Sequence, residues 1–230
     1  MRARLVSFSD PAPEIRHFVF EVPEAPALVF QAGQFASLTA HLHGKDITRA
    51  YSLAAAPRGD NRFEICLNRV ADGIFSPYLF SLQPGDSVEC KGILGTFVWR
   101  EPAMDAVLVA TGTGVVPFRA MLQDLYARPT ERKVTLIYGT RHAANLLFVD
   151  EFRALAAAQP GFRFIPTVTR PDADWTGATG RVQPLVQAAL GDRRDLQVYA
   201  CGLKEMVDSV RALAKEHGLE RRQIIYEKYD

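Results

Sequence analysis

Cysteine is scarce in this chain: Cys66, Cys90 and Cys201 are the whole supply in 230 residues, an odd number at wide spacing. Such a set builds neither a disulfide framework nor a zinc site, and it lacks the spacing of a plant-type 2Fe-2S cluster. Any iron-sulfur centre is therefore expected on another chain. An excess of charge of either sign is also missing. Lys plus Arg number 27 against 26 Asp plus Glu, and residues 1–100 carry ten of each sign. That balance excludes bulk electrostatic capture of nucleic acid or of an anionic membrane, and leaves room for a local docking patch. No apolar run reaches the length of a bilayer span or of a secretory signal, so a cytoplasmic protein is expected. Internal repeats and low-complexity tracts are absent too.

What is present is ordinary globular material, 48% hydrophobic and 23% charged, in a length that accommodates one large or two modest cores. The first hundred residues alternate short strand patterns with turn residues. Strands are expected at residues 4–8, 15–22, 34–40, 51–54, 62–70 and 87–91, separated by Pro11 and Pro13, the 23–26 segment, Arg58-Gly59-Asp60-Asn61 and Pro84-Gly85-Asp86. Turn signals at these intervals indicate a small all-β domain, an antiparallel barrel or sandwich.

The pattern changes near residue 103. Residues 106–110 are continuously apolar, as suits a strand buried on both faces of a parallel sheet. Pro117 fits the first turn of a following helix, with Phe118, Met121, Leu122 and Leu125 on one face. Further strands are expected at residues 134–138, 162–169, 197–200 and 224–229, and helices near 148–158, 182–190 and 204–217. This interleaving indicates a doubly wound α/β domain with its ligand at the C-terminal ends of the strands. Between its first strand and first helix lies Thr111-Gly112-Thr113-Gly114-Val115-Val116-Pro117, where backbone N–H groups and a helix dipole attract a pyrophosphate. The loop reads Gly-x-Gly-x-x-Pro rather than Gly-x-Gly-x-x-Gly, and no acidic residue follows the second strand at Gly139-Thr140-Arg141. Alone it supports a tight glycine turn as well as a dinucleotide site.

Four short motifs occur in a telling order. Arg49-Ala50-Tyr51-Ser52 resembles the Arg-x-Tyr-Ser/Thr flavin motif of the ferredoxin-NADP reductase superfamily. Gly73-Ile74-Phe75-Ser76 resembles its Gly-x-x-Ser turn, the loop from Gly112 to Pro117 its nicotinamide-dinucleotide loop, and Cys201-Gly202-Leu203-Lys204-Glu205-Met206 its Cys-Gly-x-x-x-Met segment. Gly33-Gln34-Phe35 and the ending Tyr226-Glu227-Lys228-Tyr229-Asp230 are similar to the family as well. The resemblance implies an N-terminal antiparallel β-barrel FAD domain over residues 1–100 and a parallel α/β NADP-binding domain over residues 101–230.

It also implies roles for individual residues. Tyr51 would stack on the isoalloxazine with Ser52 beside flavin N5, and Arg49 would fork onto the FAD pyrophosphate. Gly73, Ile74, Phe75 and Ser76 would complete the pyrophosphate cradle, while Cys66, Leu67 and Asn68 would border the flavin through their backbone. Ser52, Cys201 and Glu227 would surround the reacting carbons, with Gly202 and Met206 nearby. Tyr229 would cover the flavin's other face and yield when nicotinamide binds. Thr169 with Arg170 and Arg181 would hold the 2′-phosphate of NADP, with Arg141 a further candidate for a phosphate and NAD(H) an alternative dinucleotide. The implied activity is hydride transfer between NADP(H) and bound FAD and single-electron exchange with a separate ferredoxin, flavodoxin or oxygenase component. A flavin reductase that treats flavin as a diffusing substrate is the alternative.

Overall fold

The computed structural model describes residues 1–229; Asp230, the last residue of the family-like ending, lies outside the described residues. Two compact units are present, one formed by Met1–Val98 with Val116–Arg128 and the other by Trp99–Val115 with Pro129–Asp230. The helix after the glycine loop thus groups with the N-terminal residues.

The first unit is built on strands β1 (Arg2–Ala12), β2 (Ile15–Glu21), β3 (Phe35–Leu42), β4 (Lys45–Ser52), β5 (Arg62–Asn68) and β6 (Ser87–Leu94), in the order β4-β3-β6-β1-β2-β5. Every neighbouring pair is antiparallel. The two end strands meet through a bridge between Leu53 and Ile65, and the Ala54 N–H donates to the Glu64 carbonyl at 2.8 Å. That contact closes the sheet into a barrel and decides between the barrel and the sandwich. Inside, Phe18, Phe20, Phe63, Leu38 and Ile65 are fully or nearly fully buried. The Phe20 and Phe63 rings stack with centroids 5.4 Å apart. Each buried aromatic contributes about 2–3 kcal/mol by leaving water.

Gly33 shows why the third strand opens on glycine. Its φ is +100°, and a Cβ there would lie 2.1 Å from the Phe97 carbonyl oxygen. The next residue, Gln34, accepts the Leu53 N–H at 2.8 Å through its carbonyl and donates from its side chain to Gly95 at 3.0 Å. The pair therefore fixes the start of β3 and the end of β4 together.

Two local expectations are corrected here. The strand expected at 51–54 runs over Lys45–Ser52 instead, because Lys45, Asp46, Arg49 and Ala50 are exposed and leave no apolar alternation to read. The Gly-x-x-Ser turn leads directly into a seven-residue helix, α1 (Phe75–Ser81), too short to show a period. The helix following the glycine loop, α2 (Val116–Tyr126), buries Phe118, Met121 and Leu122 as expected.

Another set of α2 side chains is polar and carries a buried ion cluster. Arg119 donates from Nη1 to the Ala54 carbonyl at 2.6 Å and to the Glu64 carboxylate at 3.2 Å. Glu64 is only 6% exposed and is also met by His17 at 3.0 Å and by Arg58 at 2.8 Å. Burial by itself would raise its carboxyl pKa, but the His17 hydrogen bond and the nearby Arg58 and Arg119 outweigh burial and hold the group at about 2.

The second unit is a parallel sheet of β7 (Asp105–Thr111), β8 (Val134–Thr140), β9 (Phe162–Val168), β10 (Ala178–Thr179), β11 (Leu196–Leu203) and β12 (Ile224–Tyr229). Its order is β10-β9-β8-β7-β11-β12. Helices α3 (Val149–Ala158), α4 (Gln183–Leu190) and α5 (Lys204–Glu216) lie between strands in sequence. The two-residue β10, absent from the sequence expectation, is held to β9 at Thr167 and Val168. Residues 106–110 and 196–202 are buried throughout, as a strand covered on both faces requires. The chain adds strands on one side of β7 as far as β10 and then returns to add β11 on the other. The sheet therefore reverses between β7 and β11, the place where a doubly wound fold opens a ligand crevice.

Among the described residues no helix is long and apolar enough to cross a membrane, and no cluster of His, Cys, Asp and Glu could hold a metal ion.

Glu64 sets an acid limit on the first unit. A carboxyl whose pKa falls on folding contributes stability above its unfolded value of 4.5, and loses it as pH drops toward about 2. Allowing for solvent screening at the half-exposed Arg58, the contribution is about 2 kcal/mol. Urea unfolding followed between about pH 6 and pH 2 is expected to show the parent losing this much more stability than Glu64→Gln.

Candidate active site

The flavin motif lies on the outermost strand of the barrel ladder. Near the end of β4, exposed Arg49 and Ala50 are followed by half-buried Tyr51 and buried Ser52, which pairs with Phe35. The Tyr51 ring packs 6.0 Å from Phe75 at 31°, and Phe75 meets Tyr78 edge-on at 5.9 Å. Burial pushes the Tyr51 phenol pKa well up, against a smaller opposing pull from Arg49. The side chain is therefore a neutral flat face with a polar tip. Arg49 spends one N–H on the Thr48 carbonyl at 2.8 Å.

The turn beside it is tightly made. The Gly73 N–H donates to the Val70 carbonyl at 3.0 Å, and the Val70 N–H donates to the Ser76 hydroxyl at 2.9 Å. Ile74 is exposed at the N-cap of α1, while Phe75 and Ser76 are buried in its first turn. The opening N–H groups of a helix have no partner within it and suit an anion. Cys66, Leu67 and Asn68 end β5: Leu67 points into the barrel core, Asn68 is exposed, and burial pushes the Cys66 thiol up to about 12 despite the Arg119 charge. Backbone rather than side-chain contacts remain the use open to Leu67.

In the second unit the glycine loop is a 3-10 turn, Gly112–Val115, pressed against the end of β11. A Cβ on Gly114 would fall 2.2 Å from the Cys201 carbonyl oxygen, and one on Gly202 would fall 2.5 Å from the Thr111 hydroxyl. Thr111 also accepts the Leu203 N–H at 3.3 Å. Glycine is thus required at Gly114 and Gly202, where the loop after β7 meets the end of β11. A glycine loop at such a reversal is the kind of place where backbone N–H groups suit a phosphate chain.

Cys201 is fully buried opposite Glu227 in the parallel ladder, with Tyr229 two residues on. Burial and the Glu227 charge push its thiol pKa well up, against a hydrogen bond with Tyr229. The thiol stays protonated and is no nucleophile. Met206, in the first turn of α5, packs in the apolar core with Val207 and Val210. Pro117 is likewise buried in the first turn of α2. Both positions are places of packing.

The arginines anticipated for a phosphate share one end of the sheet. The Thr169 N–H donates to the Thr140 carbonyl at 3.1 Å and the Arg170 N–H to the Arg141 carbonyl at 2.8 Å. Arg181 follows β10, whose neighbour Gly180 is bonded to Val168 at 2.9 Å. All three guanidinium groups are exposed, and no ion pair among the described residues engages them. Three exposed cations thus stand near adjacent strand ends, and guanidinium groups are chemically suited to a phosphate.

Comparison with known proteins assigns both halves. Residues 2–99 match the family profile "Oxidoreductase FAD-binding domain" and residues 108–212 match "Oxidoreductase NAD-binding domain". Ferredoxin–NADP reductase B of Sorangium cellulosum is 37% identical over 99% of this chain and 97% of its own length. The chain belongs to the ferredoxin–NADP reductase superfamily. It is an NAD(P)H-dependent flavoenzyme with FAD- and NAD-binding domains.

A toluate 1,2-dioxygenase electron transfer component from Pseudomonas putida is 32% identical over 88% of the chain, which spans 59% of that relative. A Neisseria gonorrhoeae ferredoxin NADP+ reductase solved with FAD and NADP superposes with a TM-score of 0.84 at 27% identity, covering 99% of this chain and 98% of that one.

The Glu64 cluster, with Arg119 and Gln123, is the part of the flavin half that the motifs do not reveal. Its one sequence signal is the polar pair Arg119 and Gln123, four residues apart on α2.

The glycine geometry gives a direct test. Gly114→Ala is expected to cost roughly 2–4 kcal/mol through overpacking against the Cys201 carbonyl. It should also abolish binding of 2′,5′-ADP in a calorimetric titration. Undiminished binding would show that the loop can shift at no cost.

Proposed function

We propose that this enzyme passes a hydride between NADP(H) and bound FAD and exchanges single electrons with a separate carrier, a ferredoxin, flavodoxin or oxygenase component. Residues 1–100 would form the FAD-binding domain and residues 101–230 the NADP-binding domain. The observation that carries the NADP preference is the set Arg141, Arg170 and Arg181, exposed and unneutralised at neighbouring strand ends. The Sorangium relative supports a ferredoxin-type carrier, and the toluate dioxygenase component supports an oxygenase partner.

When bound, FAD supplies the conversion between two-electron hydride chemistry and one-electron steps. The chain's own residues bind and orient. Arg49 places a fork of donors on the pyrophosphate, joined by the N–H groups of Ile74 and Phe75 and by the Ser76 hydroxyl, which can donate while it accepts from Val70. Tyr51 offers its neutral face for stacking. Ser52 offers a hydroxyl at the end of the same strand.

Thr111, Gly112, Thr113 and Gly114 hold the dinucleotide pyrophosphate, and Thr169, Arg170 and Arg181 hold the 2′-phosphate with Arg141 beside them. Cys201, kept as a thiol, is a small neutral wall of the nicotinamide pocket. Glu227 accepts a hydrogen bond from the nicotinamide amide or from a proton donor. Tyr229, tied to Cys201, excludes water until the nicotinamide displaces it.

Two measurements test this reading. The purified protein should show a bound-flavin visible spectrum that bleaches on anaerobic addition of NADPH; a colourless protein that acts only with added flavin would favour the flavin reductase alternative. Arg170→Ala should raise the KM for NADPH about tenfold or more, the worth of one charge-assisted phosphate contact, while leaving that for NADH nearly unchanged. Equal parental efficiency with the two dinucleotides would remove the NADP assignment.

A further inference from the structure

The Glu64–Arg119 pair backs both flavin-bordering segments of the barrel, although no motif includes either residue. Glu64 lies two positions before Cys66 on β5, and its carbonyl takes the Ala54 N–H at 2.8 Å. Arg119 donates to the Ala54 carbonyl at 2.6 Å, two positions after Ser52. Gln123, one turn further along α2, accepts the Ala56 N–H at 3.1 Å. The segment that follows Ser52 is thus held by one strand and by two side chains of one helix. The ion pair is nearly dry, with 13% and 8% of the two side chains exposed. Charges in such surroundings act over longer distances than they do in water. That of Arg119 reaches as far as Cys66, where it opposes the upward push of burial on the thiol.

We infer that Glu64 and Arg119 are positioning residues whose opposed charges set the electrostatic field at the ends of β4 and β5, and through it the reduction potential of the bound flavin. This inference rests on the flavin reading above. Reduction adds negative charge to the flavin, so a cation left without its partner favours the reduced form and an anion left without its partner favours the oxidised form. In the parent the two compensate, with His17 and Arg58 completing the shell of Glu64.

The experiment measures FAD content and the two-electron midpoint potential by dye equilibration. The potential should rise in Glu64→Gln, fall in Arg119→Gln and return close to the parent value in the double variant. Arg119→Lys, which keeps the cation, should hold the parent value. Loss of FAD from both charge-removing variants with retention in Arg119→Lys also supports the assignment, since the charge is then what the flavin site needs. Loss from all three overturns it. Shifts of the same sign, or none, in variants that retain FAD leave the pair as simple packing and overturn it while the flavin reading stands. A parent that takes up no FAD overturns both.

Discussion

A buried carboxylate is the constraint around which the barrel unit is organised. Glu64 is placed where an unpaired charge would be expensive, so it must be met by partners from elsewhere in the unit. His17 comes from β2, Arg58 from the loop before β5, and Arg119 from a helix more than fifty residues downstream. One side chain thereby ties the strand that ends in Cys66-Leu67-Asn68 to the segment that follows Ser52, and ties both to α2. The closing bridge from Leu53 to Ile65 lies within this same small region. Closure of the barrel and satisfaction of the charge are one structural event.

The second unit depends on an opposite device, the removal of side chains. At the reversal between β7 and β11, Gly114 and Gly202 allow two chain segments to approach more closely than any Cβ would permit. Further along the same edge stand the exposed arginines Arg141, Arg170 and Arg181, each just beyond a strand end.

Much of this was legible in the sequence, for identifiable reasons. The parallel strands could be read because residues 106–110 are apolar without interruption, and a candidate site could be named because Arg49 to Ser52 and Cys201 to Met206 are contiguous. What escaped was non-local or unpatterned. In β4 residues 45, 46, 49 and 50 are exposed and Ile47 is the one aliphatic side chain packed on the core, so no alternation shows. The helix at Phe75–Ser81 is shorter than the window over which a helical period is visible. Strand β10 has two residues. The Glu64 cluster joins positions far apart in the chain, and a lone glutamate in a strand gives no sign that a lysine-free, arginine-rich shell will form around it. The association of α2 with the barrel residues follows from that same cluster and was hidden with it.

The three thiols have a consequence for durability. All are buried, and burial raises the pKa of each. Peroxide and disulfide reagents attack the thiolate, a form that these cysteines hardly populate at neutral pH. An enzyme that handles loosely held electrons near oxygen makes such oxidants a local hazard. Burial thus keeps these three cysteines in the protonated form that such oxidants attack least.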